Sequence, residues 1–221
     1  IVFVRFNFSH NGVTPETPTD FSDLEAFGQN NFSKEMYDFN KVIDFIYDLA
    51  TINNQWDENN ISIIGHSRGG GMAIMTAVQN NKVKKLVTWA AIADIGGHMP
   101  KGNELEAWRT AGVAFIANAR TGQEMPHYFQ FYEDYLANKD KFNIQKRLGK
   151  LDIPFLILHG DQDETVPLEA ARQLKNNSKN GTLKIVRDAD HSFGTKHPWT
   201  DRKLPSAMND VVQQSIRFIL Q

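Results

Sequence analysis

The residues best suited to chemistry form a G-x-S-x-G motif centred on Ser67. The motif reads Gly65-His66-Ser67-Arg68-Gly69. It lies between an apolar run over 61–64 and small residues over 69–78, which predict a strand and a helix. A sharp strand-to-helix turn lifts the serine hydroxyl clear of the sheet and requires small residues two positions away on either side. The helix N-terminus also favours a developing oxyanion, so the backbone N–H of Arg68 is a candidate donor.

A nucleophilic serine needs a general base, and the base needs an acid that orients it. Candidates for both follow other predicted strands. Asp163 comes after the apolar run 154–159, and His191 comes after the run 183–187. Ligands bind at the carboxyl ends of parallel strands, so residues that follow strands meet at one edge of the sheet. The chain order serine, aspartate, histidine is the order expected for a nucleophile elbow on such a sheet.

These segments together resemble the α/β-hydrolase family, in particular its serine esterases and dienelactone-hydrolase-like members. The stretch 159–167 is similar to the family's acid loop, in which the carboxylate lies three residues after a glycine. The stretch 190–193 is similar to its histidine loop. The resemblance covers the chain from the first predicted strand to the last helix. It implies a catalytic triad of Ser67 as nucleophile, His191 as general base and then acid, and Asp163 as orienting carboxylate.

Two other residues compete for the acid and base roles. Asp161 could replace Asp163, but the family spacing favours Asp163, which leaves Asp161 as a turn residue whose side chain bonds the loop backbone. His197 lies six residues after His191 and could be the base. Its surroundings, Lys-His-Pro-Trp, are those of a loop residue, so His191 is preferred.

The remaining polar residues near the motifs are interpreted as structural. His66 is expected to pack behind the nucleophile, and His159, at the end of a strand, to be packed and hydrogen-bonded. A metal site from His159, Asp161, Asp163 and His191 is conceivable from the residue types. Their spacing matches no recognised ligand motif, so we expect no metal and no cofactor.

Strands and helices alternate along the chain, and most predicted strands are continuous apolar runs. Such runs are typical of a parallel sheet covered on both faces by helices. The expected fold class is α/β, a three-layer α/β-hydrolase fold with a mostly parallel central sheet in a single domain over 1–221. The segment 96–150 carries aromatic-rich helical patterns and predicts a small helical cap insertion. Ser33 is the expected N-cap of a helix that runs to about Ala50.

The first eight residues are apolar, β-branched or aromatic and predict a buried strand. The resemblance implies three further strands and a helix before this strand, with a loop that donates a second oxyanion-hole N–H. We find no such region in the sequence. The expectation is therefore that an N-terminal part of the natural protein is absent, or that another chain supplies it. Loss of one such donor costs roughly 2.7–4 kcal/mol of transition-state stabilisation.

Composition narrows the function classes. The chain has 221 residues, a net charge of −2 and no cysteine. The absence of cysteine excludes a disulfide scaffold, a thiolate zinc site and a cysteine nucleophile. Near-neutral charge argues against a nucleic-acid partner, and no apolar run approaches the roughly 18–20 residues of a membrane span. We expect a soluble, cytoplasmic protein with a small-molecule ester as substrate, its oligomeric state left open.

The leading functional hypothesis is a serine hydrolase that cleaves carboxylic esters through an acyl-enzyme. One alternative is an exopeptidase or acyl-peptide hydrolase of the same fold, with Glu104, Glu106 or Glu124 as anchor for a free amine. The other is a non-catalytic binding protein that retains the fold. Fold and triad alone do not separate these activities.

Overall fold

The computed structural model describes residues 1–18, 20–53, 56–118, 121–196 and 198–221. They form two compact units. The hairpin unit comprises Ile1–Asp48 and His98–Phe142, and the sheet unit comprises Leu49–Gly97 and Asn143–Gln221.

Helices and strands alternate through most of the described chain. Their order is α1 (Leu24–Gly28), α2 (Phe32–Asn53), β1 (Ile61–His66), α3 (Ser67–Gln79), β2 (Val83–Trp89), α4 (Gly102–Ala111), β3 (Val113–Ala117), β4 (Glu124–Tyr128), α5 (Gln130–Ala137), α6 (Ile144–Leu148), β5 (Phe155–Gly160), α7 (Leu168–Asn177), β6 (Gly181–Val186) and α8 (Ser206–Leu220). Among the described residues, none of these helices combines the length and the apolar character that a membrane crossing requires.

The sheet unit is built on four parallel strands in the order β1-β2-β5-β6. All six residues of β5 are buried. Alternate side chains of a strand point to opposite faces, so burial of every residue means that both faces of β5 are covered. Helices α3, α7 and α8 pack on the sheet. The predicted α/β class with a parallel central sheet is confirmed.

One core cluster of the sheet unit joins the sheet to α8. Its buried members are Val87, Ala90, Leu156, Leu158, Val186, Ala189, Phe193 and Val211. Phe193 is fully buried and Val211 belongs to α8. The indole N–H of Trp89, at the end of β2, donates to Ser215 Oγ on the same helix at 3.0 Å. The core therefore holds the segment around Phe193 in a fixed position.

The hairpin unit contains an element that the sequence does not predict. Strands β3 and β4 pair antiparallel, with Phe115 opposite Pro126, within the segment for which the sequence indicates helices. β3 is rich in β-branched and aromatic residues, and proline is tolerated at a sheet edge. Trp108 of α4 donates from its indole N–H to the His127 carbonyl at 2.7 Å. The segment thus combines helices with a hairpin, and its role as a cap stays a prediction.

The predicted first strand is wrong. Residues 1–8 adopt no regular secondary structure, and the side chains of Ile1 and Phe3 are each 76% exposed. A strand needs a neighbour that accepts its backbone hydrogen bonds, and no described residue pairs with this run. The rings of Phe6 and Phe8 instead contact Phe39 of α2, with centroids 5.3 and 6.2 Å away.

The predicted N-cap of α2 is also wrong by two residues. The side chain of Asn31 accepts the Lys34 N–H at 2.9 Å and so caps the helix. Ser33 lies inside the first turn, where its backbone N–H and its hydroxyl both donate to the carboxylate of Asp134. Ser33 therefore bonds the side chain of Asp134 and does not cap the helix.

Candidate active site

The strand-to-helix turn places Ser67 as the sequence predicts. Ser67 follows β1 directly and begins α3 with φ of +53°, a left-handed conformation that non-glycine residues rarely adopt. Such strain persists where the surrounding structure enforces it. A Cβ on Gly65 would lie 2.5 Å from the Gly69 carbonyl oxygen and 2.8 Å from Ala73 Cβ. Glycine at position 65 therefore allows the turn to close.

Gly69, the second glycine of the motif, is not in such close contact with its neighbours. A Cβ on Gly69 would meet no described atom within 4 Å, so the expected need for a small residue is not seen there. Gly70 has the tight position instead, because its Cβ would lie 2.4 Å from Ala91 Cβ. The Ser67 carbonyl accepts the Ile92 N–H at 3.3 Å, which ties the turn to the segment after β2.

The structure brings the three predicted triad residues into one hydrogen-bonded chain. Ser67 Oγ lies 2.9 Å from His191 Nε2, and His191 Nδ1 lies 2.8 Å from Asp163 Oδ2. The three residues come from the ends of β1, β5 and β6, which form one edge of the parallel sheet. All three belong to the sheet unit.

Backbone donors orient the carboxylate of Asp163. Its Oδ1 accepts the N–H of Thr165 at 2.9 Å and of Val166 at 2.8 Å, and the residue is 8% exposed. These bonds turn Oδ2 toward His191. Buried carboxylates need such donors, because an unpaired buried charge is strongly unfavourable.

A tight turn holds His191. Asp190 Oδ1 accepts the backbone N–H of Ser192 at 3.0 Å and of Gly194 at 2.8 Å. The Gly194 bond is the main cause that lowers the pKa of the Asp190 carboxyl. Phe193 takes a left-handed φ of +55° and anchors the turn in the core.

His66 supports the same turn from the elbow. Its Nε2 lies 2.9 Å from the His191 carbonyl oxygen, which can only accept, so His66 carries its proton on Nε2. The two rings are 4.7 Å apart. Loss of surrounding water lowers the pKa of His66, with partial compensation from the carbonyl of His191. His66 thus packs against His191, a contact that the sequence does not reveal.

The remaining candidates occupy supporting positions. Asp161 Oδ1 accepts the Asp188 N–H at 2.8 Å, so its side chain bonds the backbone of the segment after β6 and not, as predicted, that of its own loop. His159 is fully buried, and its Nε2 donates to the Val166 carbonyl at 2.8 Å, as expected for a packed histidine. His197 lies outside the described residues. No cluster of three or more metal-ligating side chains occurs within the described ranges.

Arg68, the predicted oxyanion donor, is the second residue of α3. Backbone N–H groups in the first turn of a helix have no acceptor further back in that helix, and the helix dipole favours negative charge there. Arg68 directly follows Ser67 in the chain, and its role as oxyanion donor stays a prediction.

Sequence reasoning missed one close approach that fixes the site. A Cβ on Gly160, the last residue of β5, would lie 2.1 Å from the Ala189 carbonyl oxygen. That same oxygen accepts the Gln162 N–H at 3.0 Å. The acid loop and the histidine loop thus touch through their backbones. The glycine before the acid is visible in the sequence, but its contact is not.

Sequence and structure comparisons identify proteins that are similar to this chain. A monoglyceride lipase homolog of Monkeypox virus is 23% identical over 212 residues, covering 86% of this chain and 75% of that protein. An uncharacterized peptidase of Bacillus subtilis, YuxL, is 27% identical over 167 residues, covering 73% of this chain and 23% of that protein. The structure of a monoacylglycerol lipase from Paleococcus ferrophilus has a TM-score of 0.60 at 16% identity, covering 87% of this chain and 77% of that one.

These similarities cover 73–87% of the chain. The structural likeness shows the fold, and the match to a family model confirms the resemblance drawn from the motifs. The model of the prolyl oligopeptidase family matches residues 24–205, a segment that contains both the elbow and the two loops. Because this match spans most of the chain, the chain belongs to the prolyl oligopeptidase family and has the α/β-hydrolase fold.

Proposed function

We propose that the protein is a serine hydrolase that cleaves carboxylic esters through an acyl-enzyme. The single observation that carries this proposal is the unbroken chain from Ser67 Oγ through His191 to Asp163, with heavy-atom distances of 2.9 and 2.8 Å. Distances of this size let a base take the serine proton while the acid holds the ring.

Acylation begins with proton transfer from Ser67 Oγ to His191 Nε2. The Asp163 carboxylate accepts from Nδ1, so the neutral His191 ring carries its proton there and presents a lone pair at Nε2. Ser67 Oγ bonds to the acyl carbon, and the carbonyl oxygen becomes an oxyanion that the Arg68 N–H stabilises. The bond to the alcohol oxygen then breaks, and His191 returns the proton to the leaving alcohol.

Deacylation repeats the same steps with water. His191 Nε2 takes a proton from water while the water oxygen bonds to the acyl carbon. The bond between Ser67 Oγ and that carbon breaks, and Ser67 recovers its proton from His191. The net reaction converts an ester and water into a carboxylic acid and an alcohol, and it consumes no cofactor.

Two relatives support an ester as substrate. The viral homolog and the Paleococcus ferrophilus structure carry lipase names, and both match more than 80% of this chain. A small-molecule ester is therefore the first substrate class to test.

A peptide bond is the second candidate. The family is named for a peptidase, and the Bacillus subtilis relative is described as an uncharacterized peptidase. The same triad can attack an amide, but the amine leaving group then depends more strongly on proton donation from His191.

Paired substrates separate the two activities. Aryl and alkyl esters of increasing acyl length are compared with aminoacyl and N-acyl-aminoacyl amides. We expect a higher kcat/KM for an ester than for any amide, and a burst of alcohol release that equals the enzyme concentration. A higher kcat/KM for an aminoacyl amide would establish the peptidase instead. Ser67→Ala serves as the control and should abolish turnover of both classes.

A further inference from the structure

A second buried histidine faces the acid of the triad. His159, in β5, is fully buried, and its Nε2 lies 2.8 Å from the Val166 carbonyl oxygen and 3.3 Å from Asp163 Oδ2. A carbonyl oxygen can only accept, so Nε2 carries the proton. The N–H of His159 thus donates to a backbone carbonyl, and the same nitrogen lies in close electrostatic contact with the acid.

Both carboxylate oxygens of Asp163 are in contact with neighbouring groups. Oδ2 faces two imidazole nitrogens, His191 Nδ1 at 2.8 Å and His159 Nε2 at 3.3 Å. Val166 joins both sides, since its N–H donates to Oδ1 at 2.8 Å while its carbonyl accepts from His159. Rotation of the carboxylate would break contacts on both oxygens at once.

We infer that His159 is a positioning residue that acts through Asp163. Its N–H fixes the Val166 carbonyl, and the N–H of the same Val166 holds Asp163 Oδ1. The carboxylate thereby keeps the rotation that presents Oδ2 to His191 Nδ1, and the base keeps the tautomer needed to accept the Ser67 proton. This inference rests on the proposed function, in which His191 is the base.

The charge state of His159 fits this role. Its Nδ1 is buried and has no hydrogen-bond partner among the residues that the structure describes, so a proton there would lack an acceptor. Burial lowers the pKa of His159 and outweighs the opposing effects of the Val166 carbonyl and of Asp163, while His191 lowers it further. A neutral donor leaves the negative charge of Asp163 available to the imidazolium that forms on His191.

Three variants at position 159 separate positioning from packing. His159→Phe keeps a buried ring without a donor, and His159→Gln keeps an N–H donor near the place of Nε2. His159→Asn is the shorter polar variant, whose amide matches Nδ1 and does not reach the Val166 carbonyl. Ile157→Ala, in the same strand, is the matched control because Ile157 is fully buried and does not belong to the core cluster around Phe193.

The first readout is ester hydrolysis by the folded fraction of each variant. Loss of the donor leaves the buried Val166 carbonyl without its partner, so kcat should fall roughly tenfold to a hundredfold in His159→Phe and His159→Asn, with little change in KM. His159→Gln should recover most of the loss. Ile157→Ala should reduce thermal stability without reducing kcat of the folded protein. Equal kcat in all four variants, or a loss in Ile157→Ala as large as in His159→Phe, would refute the inference.

The second readout does not depend on turnover. The His191 Nδ1 proton, bonded to Asp163, should give a downfield proton resonance in the wild type and in His159→Gln. We expect that resonance to shift upfield or to broaden in His159→Phe and His159→Asn. An unchanged resonance in both contradicts the positioning role even if the protein hydrolyses no ester. Absence of ester turnover in the wild type, with the resonance sensitive to position 159, would contradict the proposed function alone.

Discussion

The contact between Gly160 and the histidine loop permits a quantitative test of how the site is assembled. An alanine at position 160 would place its Cβ 2.1 Å from the Ala189 carbonyl oxygen and 3.0 Å from the Asp190 carbonyl oxygen. Carbon and oxygen normally approach no closer than about 3.3 Å, so the loops must separate by about 1.2 Å. Gly160 has no left-handed backbone conformation, so the effect of Gly160→Ala arises from this clash.

The separation should damage both stability and catalysis. Overpacking of this kind costs roughly 1–3 kcal/mol of unfolding free energy. The histidine loop carries His191, whose Nδ1 must stay within 2.8 Å of Asp163 Oδ2. Because misplacement of a catalytic group by about 1 Å can cost about a hundredfold in rate, we expect a loss of about that size in kcat/KM for Gly160→Ala.

The assay pairs this variant with a matched control in the same unit. A Cβ on Gly149 would find its nearest neighbour, the Lys146 carbonyl oxygen, at 3.9 Å, which is ordinary contact. Gly149→Ala should therefore keep its unfolding free energy within about 0.5 kcal/mol of the wild type and retain full ester turnover. Urea denaturation and steady-state hydrolysis give both numbers. If Gly160→Ala matched Gly149→Ala in stability and rate, the two loops would not be held together as described.

Three further perturbations probe the acid, the anchor and the buried histidine. Asp163→Asn should abolish ester turnover, whereas Asp161→Asn should lower the unfolding free energy by about 1 kcal/mol and leave most of the turnover. If Asp161→Asn abolished turnover and Asp163→Asn did not, Asp161 would be the orienting acid. Phe193→Ala should lower the unfolding free energy by about 3–5 kcal/mol, measured by urea denaturation, because the side chain is fully buried. Since burial lowers the pKa of His159 below its ordinary value of 6.5, the unfolded chain binds a proton there that the folded chain does not. Unfolding free energy should therefore fall as the pH falls below 6.5, and His159→Phe should weaken that dependence; a stability of the wild type that rises on acidification, with no effect of the variant, would contradict it.

The triad geometry could be predicted because each of its residues belongs to a local motif after a strand. The turn around Ser67 and the loops that carry Asp163 and His191 can each be recognised from a few consecutive residues. The rule that carboxyl ends of parallel strands share one edge then brings them together without any knowledge of long-range contacts. The observed 2.9 and 2.8 Å distances agree with that prediction, and the catalytic roles stay a proposal.

The supporting contacts could not be predicted because they join residues far apart in the sequence. His66 and the His191 carbonyl are 125 positions apart, and Ser33, the expected helix cap, bonds Asp134, which is 101 positions away. The local sequence does not show which distant acceptor a polar side chain will bond.

The first eight residues show the limit of reading strands from apolar composition. Composition indicates which residues favour burial, but a strand exists only where a neighbour completes its hydrogen bonds. Residues 1–8 have no such neighbour among the described strands, and Ile1 to Val4 are exposed. The hairpin of β3 and β4 is the converse case, in which cross-strand pairing produces strands where helices are expected.

The most direct test of the central claim is covalent labelling of Ser67 with a fluorophosphonate. The wild type should form one phosphonyl adduct, located at Ser67 by mass spectrometry of the digested protein. Ser67→Ala should form none, and Asp163→Asn should react at least tenfold more slowly because His191 loses its orienting partner. A folded wild-type protein that gives no adduct at Ser67, or Ser67→Ala protein that still hydrolyses esters at the wild-type rate, would contradict the account.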